Sequence, residues 1–316
     1  MIEVNNNGGR LMELNESAQT ALAAILNQNP WKLFWPTDPL VILDEAGKQA
    51  TIVTFERQDD TTMIQFFDTP GGIESFLIQQ TTGFELWEPS KLYEDYLGIT
   101  SNKTQLTIKK HYQGQEQVAT TADITLLNAI LPQLNQMLAD LPSDAKLQSN
   151  LKKDKYPTRA YKDGKWYTRF RALRIPRQQG LFPTVKPTTF KPFQNSPVEA
   201  VNLEVVVTYL SHQVVDKSGA SFYPRLLLVV DHTSGGILVQ DIIDPKQTVT
   251  EALGTWLKGF IKASGRPAHL YTHYGEAQRL KDVAKLLDIS LTTEVPLIYT
   301  GQLYDALKKE LADNDK

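Results

Sequence analysis

The sequence predicts two folded domains: an N-terminal α+β domain built on an antiparallel sheet, and a C-terminal α/β domain whose mixed five-stranded sheet is covered by helices. Three observations predict this. The chain has 316 residues, enough for two domains that each bury a core. Its 41% hydrophobic and 22% charged residues are the proportions of a globular protein. From about residue 200 onward the segments follow the order β-β-β-α-β-α-β-α, whereas before it they read as a meander flanked by helices. The expected boundaries are 1–145 for the first domain, 146–197 for a basic aromatic hairpin and Pro-rich linker, and 198–316 for the second domain.

In the first domain, Asn15 can cap a helix to about Asn27, with Ala18, Ala21, Leu22, Ile25 and Leu26 at helical spacing. Trp31, Phe34 and Trp35 then form an aromatic cluster that reads as a core plug. Residues 40–43, 51–56 and 61–67 are strand-like and separated by turn residues, which predicts an antiparallel meander. Pro70-Gly71-Gly72 precedes a helical stretch over 73–80, but it lacks the Gly-Lys-Ser/Thr ending of a phosphate-binding loop. Further strands are predicted over 84–87, 104–111 and 115–119, followed by a helix over 123–140 that contains Pro132.

The net charge of -3 conceals a marked asymmetry: residues 1–145 carry net -11, 146–192 net +11 and 193–316 net -3. Aromatic rings interleave with the basic block. Asp163-Gly164 is a favoured two-residue turn, so Lys162 faces Lys165 and Tyr161 faces Trp166. Alternation then places Trp166, Thr168 and Phe170 on one side of the ribbon, with Lys165, Tyr167, Arg169 and Arg171 on the other. Cations beside exposed rings suit single-stranded nucleic acid, since cations neutralise phosphates and rings stack on bases; Lys165, Trp166, Arg169, Phe170 and Arg171 are the candidate contacts. The competing role is internal. An acidic domain in the same chain is always at high effective concentration, which favours a ribbon that packs against it.

The second domain begins with strands over 203–210, 225–230 and 236–243. Thr248 or Thr250 caps a helix to Ala263, which Gly265 and Pro267 stop. A strand over 268–272, a helix over 276–287, a strand over 289–293 and a helix over 302–311 follow. The stretch 176–197, with prolines at 183, 187 and 192 inside it, reads as an extended linker.

The run Leu-Leu-Leu-Val-Val-Asp-His-Thr-Ser-Gly over 226–235, then Gly265-Arg266-Pro267 and Tyr271-Thr272-His273-Tyr274-Gly275, resembles the integrase and transposase core. With Tyr223-Pro224 added, the pattern also resembles bacterial two-domain proteins that carry a degenerate, ribonuclease H-like form of this core and have no established activity. Active cores hold two metal ions on carboxylates of the first strand, the end of the fourth strand and a later helix. Here the interior of the first strand, Val205 to Thr208, has no acid, and Glu204 stands at its start. His273-Tyr274-Gly275 replaces Asp-Asn-Gly, and Asp305 and Glu310 are the only acids on the last helix over 302–311. The resemblance therefore implies shape without inherited catalysis, and a non-catalytic binding or scaffold protein. Arg266 and His273 are further candidate binding residues beside the old active-site edge.

The rival expectation is a metal-dependent nuclease or phosphodiesterase using Asp231, His273 and Glu276, which requires those side chains to converge. No cofactor is expected. The chain has no cysteine, which excludes disulfides and thiolate chemistry, and His111, His212, His232 and His269 have no metal-site spacing. The absence of a membrane-length apolar run and of a signal-peptide pattern leads to the expectation of a cytoplasmic protein, with nucleic acid or protein as its partner.

Overall fold

The computed structural model describes residues 14–82, 95–102, 106–112, 115–176, 180–210, 214–215, 221–222, 224–293 and 297–314. The strand expected over 84–87, His212, Tyr223 and the side chain of Glu310 lie outside the described residues. The chain divides into two compact units, the first holding the described residues up to Gln80 and from Asp95 to Leu181, the second those from Phe182 onward together with Thr81 and Thr82. No described helix is long and apolar enough to cross a membrane.

In the first unit, α1 (Glu16–Gln28) starts where the Asn15 side chain accepts the Ala18 N–H at 2.8 Å. Strands β1 (Leu40–Leu43), β2 (Ala50–Gln58) and β3 (Thr61–Phe67) form the expected antiparallel meander. Helix α2 (Pro70–Thr82) includes Pro70-Gly71-Gly72 in its first turn. These glycines serve close packing: a Cβ on Gly71 would lie 2.7 Å from the Asp95 carboxylate, and one on Gly72 would overlap the Asp95 carbonyl oxygen. Strand β4 (Asp95–Ser101) extends the meander, followed by β5 (Leu106–Tyr112) and β6 (Gln115–Val118). A capping box between Thr120 and Asp123 opens α3 (Thr121–Ala139), and α4 (Asp144–Leu151) follows.

The basic segment then forms β7 (Tyr156–Lys162) and β8 (Lys165–Arg171), paired in the expected register with Tyr161 opposite Trp166. Strand β7 also pairs with β1, parallel, through Val41–Thr158 and Ile42–Arg159. The sheet therefore has eight strands in the order β6-β5-β4-β3-β2-β1-β7-β8 and is mixed rather than antiparallel. The ribbon is part of the first sheet, because β1 would otherwise present an unpaired backbone edge. One face is closed by α1 and α3 over a core that includes Leu22, Phe55, Phe66 and Leu134. Phe34 belongs to this core, while Trp35 of the expected plug is 73% exposed. On the opposite face Ile73, Phe76, Phe67 and Tyr96 cluster with Leu173, Ile175 and Leu181.

The stretch expected as a linker is partly structured and packed. A 3-10 turn spans Pro187–Phe193, and Val185 and fully buried Phe190 sit in the core of the second unit. Burying these apolar side chains offsets the entropy that would leave a Pro-rich stretch free.

In the second unit, β9 (Val198–Tyr209) is followed by the short pair β10 (Val214–Val215) and β11 (Ser221–Phe222), then β12 (Arg225–Asp231) and β13 (Ile237–Ile243). Helix α5 (Val249–Ser264) has a Thr248–Glu251 capping box and ends at Gly265, whose φ of 100° suits glycine. Strand β14 (Arg266–Thr272), α6 (Tyr274–Leu287), β15 (Ser290–Thr292) and α7 (Ile298–Asn314) complete it. The strand order is β13-β12-β9-β14-β15, antiparallel through β9 and parallel beyond it, as the segment order predicts. Leu203 and Val205 of β9 face α5 and α6, and the alternate residues Glu204, Val206 and Thr208 lie on the α7 side.

Candidate functional site

Two places carry the residues singled out by sequence: the β7–β8 ribbon, and the ends of the strands around β9 and β14.

The ribbon's inner side is anchored to α3. Arg159 is buried at 5% exposure, and its guanidinium donates to Asp140 at 2.7 Å, Gln133 at 2.9 Å and Thr168 at 2.9 Å. Hydrogen bonds from Gln136, Thr168 and Arg159 outweigh desolvation and hold the Asp140 carboxyl below its ordinary range. Phe170 packs against the core on this side, and Trp166 stands half-buried beside Tyr161, ring centroids 5.5 Å apart. The outer side presents exposed Lys165 and Arg169 with half-buried Arg171. Arg169 lies over the Tyr167 ring at 4.5 Å, a cation–π pair on the edge strand. The ring positioned among the outer cations is thus Tyr167. Alternation alone places it there, although sequence reasoning favoured the bulkier Trp166.

In the second unit, Glu204 is 0% exposed and its carboxylate is fully engaged. Oε2 accepts the Thr300 N–H at 2.8 Å and the Thr300 hydroxyl at 3.0 Å. Oε1 accepts the Tyr299 N–H at 3.4 Å and lies 2.9 Å from His232 Nδ1. His232 stacks on Tyr271 at 4.1 Å, and Tyr271 stacks on His269 at 4.3 Å. A carboxylate on the first strand is therefore present, but it caps the first turn of α7. Sequence could not find this role, because Thr300 is 96 residues away.

Asp231 binds its own turn: Oδ1 accepts the Thr233 and Ser234 N–H groups, both at 2.8 Å. These bonds, Ser234 first, hold its carboxyl below the usual range. Glu276, in the first turn of α6, is buried and accepts the Val207 N–H at 3.1 Å. It supplies the acceptor that β9 loses where β14 turns away after Thr272, whose partner is Val205. Burial pushes the Glu276 carboxyl up, opposed by His273 and Arg279.

The three proposed ligands do not converge. Asp231 pairs with Leu203 and so lies at the level of Leu270, two strands across and three residues short of His273. That places their Cα atoms roughly 14 Å apart at ordinary sheet spacings. Among the described residues no group of three or more His, Cys, Asp or Glu is placed to hold a metal ion. The donor set thus does not fit the two-metal centre that an integrase core implies: Glu204 is committed to α7, and a histidine stands at the end of the fourth strand.

Arg266 is also placed differently from the expectation. It opens β14, whereas His273 follows its other end, about 20 Å away at strand rise. Its guanidinium donates to the carbonyls of Ser196 at 2.9 Å and Leu287 at 2.6 Å. It is a staple between the start of β9 and the end of α6. His273 is half-buried at the α6 N-cap position and makes no side-chain cap bond.

Glu276 provides a pH test. A folded carboxyl raised above its ordinary value of 4.5 contributes stability that is fully present below pH 4.5 and lost as pH rises through the folded value. Glu276→Gln retains an acceptor for Val207 and removes the charge. Urea midpoints should match wild type near the ordinary carboxyl value and exceed it increasingly as pH rises above that value; parallel profiles would contradict this.

Residues 189–308 match the model of a domain of unknown function, DUF6930. The match leaves the eight-stranded sheet outside. Part of the chain is similar to the simian T-cell lymphotropic virus intasome, solved in complex with PP2A regulatory subunit B56 gamma. Identity is 24% over 40% of this chain and 46% of that chain, with a TM-score of 0.26. The HTLV-2 integrase catalytic core domain, in complex with magnesium and in dimeric form, is 23% identical over 37% of this chain and 74% of that chain, with a TM-score of 0.26. The chain spans about half the length of the first of these, at 46%. No curated protein matches.

Proposed function

We propose that the protein is a non-catalytic binding protein that contacts single-stranded nucleic acid through the outer side of the β7–β8 ribbon, with a degenerate ribonuclease H-like unit as scaffold. The observation that carries this reading is Arg169 lying over Tyr167 at 4.5 Å on an edge strand that also exposes Lys165. Cations on that side can neutralise phosphates, and the guanidinium plane of Arg169, backed by the Tyr167 ring, can stack on a base. Arg159, Trp166 and Phe170 on the inner side fix the ribbon's orientation. The engaged state of Glu204 supports the non-catalytic part, since a carboxylate with four protein contacts is a poor ligand for an exchangeable metal ion.

Fluorescence anisotropy with an unstructured oligonucleotide at about 50 mM salt tests this, with the salt dependence recorded. Wild type should bind, with the logarithm of its affinity falling linearly with the logarithm of salt concentration. Arg169→Ala should reduce the slope by about 1, and Tyr167→Ala should weaken binding about tenfold. Absence of binding at low salt would remove the nucleic-acid reading.

A further inference from the structure

We infer that a second copy of this chain docks on the edge strand β13, so that two five-stranded sheets join across a twofold axis. Strand β13 ends the sheet order, and its outer backbone edge has no strand partner among the described residues. Three aliphatic side chains on it are largely exposed: Ile237 at 51%, Leu238 at 49% and Ile242 at 62%. Edge strands are ordinarily protected by lysine, proline or a short length. Strand β13 runs for seven residues with neither residue type, and its single charge is Asp241.

The order of side chains specifies the occupant. In an antiparallel pairing of two copies centred on Gln240, Leu238 faces Ile242 of the other copy and Ile237 faces Ile243, so every exposed aliphatic meets an aliphatic. Asp241 then faces Val239. Centring the pair one residue later would oppose Asp241 to itself, and centring it one residue earlier would set Ile237 against Asp241. Charge and apolar matching thus select one register, and it is symmetric, as a twofold interface requires. The adjoining turn is polar and exposed at Asp244, Pro245 and Lys246, which limits the apolar contact to the strand.

The absence of cysteine makes a direct test possible. At the centre of such a pair, Gln240→Cys places two thiols within the Cα spacing of about 4.4–6.8 Å that a disulfide spans. Oxidation of the full chain should link Gln240→Cys into a covalent dimer, while Lys246→Cys should link far less. Sedimentation equilibrium of the wild type should show a concentration-dependent dimer, and Ile242→Lys should return it to monomer with an unchanged circular dichroism spectrum. A wild type that stays monomeric through the tens-of-micromolar range overturns the inference. A dimer that survives Ile242→Lys, or equal linking at both cysteine positions, also overturns it.

Discussion

Glu204→Ala is expected to lower the stability of the second unit by about 3 kcal/mol, because it leaves two buried and two half-buried donors without an acceptor. The donors are the Thr300 N–H and hydroxyl, the Tyr299 N–H and His232 Nδ1, arranged around a side chain with no solvent exposure. The amides that lose their acceptor are those of the first turn of α7. The loss should therefore appear first as rapid amide exchange at Tyr299 and Thr300, and then as a lower urea midpoint. Glu204→Gln keeps the volume but turns an NH2 group toward one pair of donors, so it should cost about half as much. A wild-type midpoint for Glu204→Ala would refute the capping role and reopen Glu204 as a free ligand.

Gly72→Ala should cost about 3 kcal/mol through overpacking, since the added Cβ meets a backbone oxygen of β4 that cannot rotate away. Gly47→Ala provides the contrast. Gly47 has a φ of +66° but nothing within 4 Å of a built Cβ, so only the backbone strain of about 1 kcal/mol remains. Thermal melts of the two variants separate close packing from conformational freedom: the first should fall well below the second. Equal melts would mean that α2 can move away from β4 at little cost.

The ribbon register was legible in the sequence because it is set locally. Asp163 and Gly164 adopt φ values of 51° and 80°, the positive pair that a two-residue turn needs, and everything from Tyr156 to Arg171 follows by alternation. Three antiparallel strands followed by helix-linked strands were likewise readable from period and order. Strand β4 was missed because Gly98 interrupts its apolar pattern. The glycine leaves room for the Tyr96 ring, which a Cβ would approach at 3.1 Å. The start of α7 was missed for a different reason: its first amides are satisfied by Glu204 across the fold, so no capping residue marks it locally. The candidate ribbon was thus largely visible, although Tyr167 was left out of its candidate contacts, while the roles of Glu204 and Arg266 rest on partners distant in sequence.

The parallel contact of β1 with β7 has a consequence for how the chain must be made. Val41 meets Thr158 only after more than a hundred intervening residues have been synthesised, and until then β1 carries an open backbone edge rich in leucine, isoleucine and valine. A fragment ending at 145 would keep that edge permanently. It should assemble with itself into insoluble material, whereas a fragment carried through 181 closes its own sheet. The ribbon would then be a folding closure as well as the proposed binding surface, and any substitution that loosens it should reduce soluble yield.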